Sequence, residues 1–168
     1  MLSHAPLPMK EQPLQFLSTL RSPLPGVSNA AWVRFAAALE VQAPHLVSAS
    51  GGYGSYDLRP RRLVDLGYAR APRRVRTKAG RMIYVCEFVE PWTQERFLAD
   101  LLAQHQALAL SMRLYHQDLT AGKLQRPQGL SLAGALAILH VGGPGALRGW
   151  PTLFKNTRAR FARAQGAF

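Results

Sequence analysis

The sequence is poor in cysteine, in acidic residues and in long apolar runs, and each scarcity closes off a class of protein. A single cysteine, Cys86, rules out an intramolecular disulfide and a cysteine-based metal centre. It lies in Met82-Ile83-Tyr84-Val85-Cys86, whose β-branched and aromatic residues predict a buried strand position. The longest apolar run, Leu130 to Val141, is twelve residues, whereas a bilayer span needs about twenty. The first residues, Met1-Leu2-Ser3-His4-Ala5-Pro6, contain no basic region leading into an apolar stretch of signal-peptide length. Work outside a cytoplasm is therefore expected to depend on another means of transport.

Acidic residues are scarce in a way that matters more. Nine Asp and Glu face 21 Lys and Arg, 17 of them arginine, for a formal charge of +12. Such a surface attracts polyanions, whether nucleic acid, anionic envelope polymers or an acidic protein. With 48% apolar and 18% charged residues over 168 positions, the composition fits one globular domain with a real core.

Residues 1–27 carry Pro6, Pro8, Pro13, Pro23 and Pro25 and read as an arm on the domain or on a neighbour, with a helical turn near Gln12 to Leu20. The domain is expected over 28–168. Ser28 or Asn29 caps a helix over Ala30 to Gln42, with Trp32, Val33, Ala36, Ala37 and Leu39 at helical spacing and Pro44 beyond its end. Ser48 to Tyr56, with small residues at 48–51 and glycines at 51, 52 and 54, makes a loop whose Gly-x-Gly lacks the preceding strand of a nucleotide site. Pro60 and Gly67 bracket a short helix, and the basic 70–81 followed by 82–88 predicts a β-hairpin around Thr77-Lys78-Ala79-Gly80.

From Thr93 the pattern predicts one helix through Leu119. His105 and His116 lie on it without a third ligand, so no metal is assigned and no cofactor is expected. Leu130 to Val141, apolar on nearly every side, predicts a central helix ending in the tight turn Gly142-Gly143-Pro144-Gly145. Pro151 to Ala164 predicts a last helix with Phe154 and Phe161 for packing and Lys155, Arg158, Arg160 and Arg163 outward. The fold class is mainly α with a small β-hairpin, α+β.

Glu40, at the end of an apolar helix, is the main catalytic candidate. Partial desolvation raises a carboxyl pKa, and such a group can protonate a leaving-group oxygen near neutral pH. Asp57 is open to two readings, a second carboxylate or the N-cap of the helix that follows.

Three separated pieces resemble one family. Ala38-Leu39-Glu40 is similar to the catalytic helix end of lytic transglycosylases of the goose-type lysozyme-like fold. Gly54-Ser55-Tyr56-Asp57-Leu58 resembles the Gly-x-Tyr-Gln of their phage tail and virion members, and Ala135-Leu136-Ala137-Ile138-Leu139-His140-Val141-Gly142-Gly143-Pro144-Gly145-Ala146-Leu147 resembles their apolar helix running into Asn-Ala-Gly-Pro-Gly-x-Val. The order agrees over roughly residues 28–152. Val41 follows Glu40 where many members have Ser, Asp57 stands at the family's Gln, and His140 stands near its Tyr-Asn pair.

The resemblance implies a lysozyme-like fold and cleavage of the β-1,4 bond between N-acetylmuramic acid and N-acetylglucosamine in peptidoglycan, with Glu40 as general acid. It also implies carriage in a virion or tail particle, whose structural proteins the N-terminal arm would contact. Expected substrate contacts are Tyr53, Gly54, Ser55, Tyr56, His140, Gly142 and Gly143, the tyrosines by stacking on sugar faces. Two rival readings remain: a basic structural or adaptor protein that never cleaves glycan, and a nucleic-acid-binding module using Arg59 to Arg81 with Tyr68 and Tyr84 interleaved.

Overall fold

The computed structural model describes residues 21–168. The turn expected over 12–20, and with it most of the proline-rich arm, lies outside the described residues. The arm's last residues lie on the domain, with Leu24 buried in the main core.

Helix α1, Asn29–Leu39, starts where Ser28 Oγ accepts from the amide of Ala31 at 3.2 Å. Trp32, Phe35, Ala36 and Leu39 recur at helical spacing and are wholly buried. A loop over 40–58 follows, then α2 (Pro60–Asp65), which starts on proline and is followed by Gly67 at φ +80°. Strands β1 (Ala69–Arg76) and β2 (Met82–Phe88) pair antiparallel with a bulge between Arg70 and Arg73. The expected hairpin is present, and Cys86 is half-buried on it. Among the described residues the fold is helical with this one small sheet, α+β.

The single helix expected from Thr93 to Leu119 is two: α3 (Gln94–Ala99) and α4 (Leu101–Thr120). Asp100 separates them. Its backbone leaves the helical region at φ −106°, ψ 93°, and its carboxylate accepts from the amide of Ala103 at 2.9 Å, capping α4. A short polar side chain that can satisfy a free amide outcompetes continued helix at that point.

Helix α5, Leu132–Arg148, is buried on every side from Ala133 to Leu139 and forms the centre of the core. It does not end in a tight turn after Val141, as the sequence predicts; it kinks and continues. Gly143 takes φ 69°, ψ −170°, a region open essentially only to glycine, and Pro144, which has no N–H to leave unpaired, begins the second half. Helix α6, Lys155–Ala164, packs onto α5 at Gly134, where an added Cβ would meet the Phe161 ring at 2.5 Å. That close approach turns one face of α6 inward and takes Arg160 with it: Arg160 is buried, not outward as its helix's basic pattern suggests.

Candidate functional site

The loop between α1 and α2 is fastened from two sides by glutamine amides. Gln42 Nε2 donates to the carbonyl of Gly54 at 2.9 Å. Gln104, wholly buried on α4, accepts from the amide of Ser55 at 2.9 Å and donates to the carbonyls of Pro44 and Phe97 at 3.0 and 3.1 Å. Gly54, at φ +69°, lies so close to the Gln104 amide that a Cβ there would overlap it. Segment 51–58 is buried throughout, which places it behind the surface and not on it.

The tyrosines follow from that. Tyr53 and Tyr56 are 3% and 4% exposed and so have no face to offer a sugar. Tyr53 packs edge-on against Phe88. Tyr56 Oη lies 3.0 Å from His105 Nδ1, and Trp32 Nε1 lies 3.1 Å from His105 Nε2. Because an indole N–H can only donate, His105 Nε2 accepts and Nδ1 carries the proton. The stacking role expected of the tyrosines is thus corrected, and Gly54 and Ser55 are buried in the same way; together they support the site from beneath. Burial lowers the pKa of His105 to about 4, keeping the ring neutral.

Asp57 also departs from expectation. The N-cap residue of α2 is Arg59, with no side-chain cap bond, so the capping role is wrong. Asp57, at φ 55° and 6% exposed, accepts from Ser48 Oγ at 2.6 Å on one oxygen. The other oxygen is shared by Arg59 Nη2 at 3.1 Å and Arg160 Nη2 at 3.2 Å. Its oxygens are committed to structural partners. Arg160 is drawn to a lower pKa by burial, with Asp57 opposing that shift.

Glu40 is treated differently. It is the C-cap of α1, extended at φ −63°, ψ 134°, and its exposed side chain has no hydrogen bond or ion pair among the described residues. Partial desolvation raises its pKa. Its charge also helps raise the pKa of the Tyr56 hydroxyl, after the larger effect of burial. The amide of Val41 donates to the carbonyl of Ser55 at 2.9 Å, which ties the chain just after Glu40 to the chain just before Tyr56.

His140 reaches the same loop from α5, its Nε2–H donating to the Tyr56 carbonyl at 2.7 Å. Burial, assisted by the Arg160 charge, lowers its pKa to about 4. His140, Gly142, Gly143 and Pro144 line a cavity of about 370 Å³ with Arg59 and Arg62. A neighbouring cavity of about 270 Å³ shares Arg59 and Val141 with it and extends to Val41, beside Glu40. The expected contacts therefore divide: His140, Gly142 and Gly143 face open space, and residues 53–56 do not. Among the described residues, no group of three or more His, Cys, Asp or Glu could hold a metal ion, and no helix is long and apolar enough to cross a membrane.

Sequence reasoning missed Gln104 and Arg160. Gln104 shares a helical face with Ala107, Leu108 and Ser111, and a lone amide in an apolar stripe is the available signal. No family model, curated protein or solved structure matches the chain.

Proposed function

We propose that this chain cleaves the glycan strands of peptidoglycan, on a lysozyme-like fold, with Glu40 as general acid. The observation that carries the reading is an unpartnered carboxyl of raised pKa, held at the end of a helix whose inner face is wholly buried. A rigid base fixes where the carboxyl is, and partial desolvation favours its protonated form, the one that can donate. An arginine-lined cavity reaches Val41, the residue after Glu40, and a second adjoins it through Arg59 and Val141.

Glu40 donates its proton to the bridging oxygen as positive charge develops on the muramyl ring. The 6-hydroxyl of that sugar then attacks, and the Glu40 carboxylate takes up its proton, giving a 1,6-anhydro product. No second carboxylate takes part, which agrees with an Asp57 whose oxygens are already occupied. Phage tail or virion carriage remains part of the proposal, on the resemblance alone.

A gel containing peptidoglycan tests it. Clearing by the wild type and none by Glu40→Gln supports the reading. A wild type that clears nothing supports instead a structural protein that uses the basic hairpin for assembly; Arg70, Arg73, Arg74 and Arg76 on β1 are the observation in its favour.

A further inference from the structure

The cavity beside the end of α1 holds more positive charge than the protein neutralises. Three arginines, Arg59, Arg160 and Arg163, line it with a single acid, Asp57. Asp57 is shared by Arg59 and Arg160. Arg163 meets no carboxylate: its Nε donates to the Ala38 carbonyl at 3.0 Å, leaving both Nη groups without a partner among the described residues. Arg160 engages Asp57 through Nη2 alone, although a guanidinium carries five N–H donors. Arg163 also lies close enough to Arg160 for their charges to oppose each other.

Two arginines one turn apart on the same helix, lining an open cavity with N–H donors that no protein acceptor takes up and with more positive charge than Asp57 balances, suit a carboxylate, whose two oxygens can accept from a guanidinium together. Position narrows the ligand further. Arg163 is tied to Ala38, two residues before Glu40, and Val41, just after Glu40, lines the same cavity. We infer that this cavity is a carboxylate-binding subsite, taking an acidic group carried by the glycan, such as that of a peptide attached to the muramyl sugar, close to the bond presented to Glu40. The identity of the carrier rests on the peptidoglycan reading; the demand for a carboxylate rests on the arginines.

The test uses full-length Glu40→Gln, which binds without turnover. Its affinity is measured by calorimetry for soluble disaccharide-peptide oligomers with free peptide carboxylates and for the same oligomers with those carboxylates amidated. Amidation is expected to weaken binding about tenfold. Adding Arg163→Gln should abolish the difference, and Arg163→Lys should keep part of it. Arg76→Gln removes the same charge from the exposed hairpin and should leave the difference intact. Equal affinity for the two oligomers, no measurable binding of either, or equal effects of the Arg163 and Arg76 changes would overturn the subsite. A preference for free carboxylates with no wild-type cleavage would instead leave the subsite standing and remove the catalytic reading.

Discussion

Glu40 and Asp57 stand near opposite ends of one loop, and the protein handles them in opposite ways. At the end of α1, Glu40 is left without a partner, and desolvation raises its pKa. Seventeen positions later, Asp57 is buried against Ser48, Arg59 and Arg160. A carboxylate with every oxygen satisfied serves architecture, because its charge is already balanced. One left unsatisfied at a fixed point is available for chemistry, at some expense in stability.

The comparison is broken first at Glu40. Glu40→Gln should lower peptidoglycan cleavage by about 10²–10⁴-fold, the ordinary value of general acid catalysis. Its thermal stability should not fall. A carboxyl whose pKa is raised on folding contributes stability below its unfolded pKa and loses it as pH rises through the folded value. The amide has no such loss, so the melting temperature of the variant should match wild type near pH 4 and equal or exceed it near pH 7. Calorimetry at the two pH values checks this.

Asp57→Ala should act in the other direction, destabilising by about 3–5 kcal/mol because Arg160 is left buried beside Arg59 with no counter-charge. Chemical denaturation measures it. A change below about 1 kcal/mol would mean that the ion pairs do not hold the loop.

The neutral histidines beneath the loop sharpen the contrast. Both have folded pKa values near 4, below the ordinary 6.5. Their stability is present above pH 6.5 and is lost as pH falls toward 4, since the unfolded chain takes up protons first. Each should contribute a slope of about 1.4 kcal/mol per pH unit across that window. His140→Gln should remove its share of the slope in denaturation curves taken at pH 6, 5.5 and 5.

Gly143→Val should cost about 1–3 kcal/mol, because a β-branched residue is forced to φ 69°. Open space surrounds the position, so strain and not collision sets the loss. If the kink also positions substrate, cleavage should fall further than in a core variant of matched melting temperature.

Local signals made much of the fold legible. Ser28 before an apolar stripe, Pro60 and Gly67 around a short helix, and a turn between two β-branched runs each act within a few residues. Glu40 was legible as a helix end for the same reason. The partners that define the loop were not. Gln104 meets Ser55 across 49 positions and Arg160 meets Asp57 across 103, so neither pairing leaves a periodic trace. Arg160 reads as outward because its helix is basic all along, whereas packing of that helix, with Phe161 against Gly134 and Thr157 and Ala164 buried, turns its face inward. Tyrosines in a glycine-rich loop suit a sugar platform or a core equally well, and burial decides between them. Asp100 stands inside the pattern that predicts one helix from Thr93 to Leu119, and its capping bond divides that helix in two.

Mass analysis of the muropeptides released from purified sacculi tests the central claim most directly. Glu40 acting without a second carboxylate predicts 1,6-anhydro-muramyl ends from the wild type and no release by Glu40→Gln. Release that persists in Glu40→Gln, or reducing-end products that disappear only when Asp57 is replaced in a variant that still folds, would contradict it.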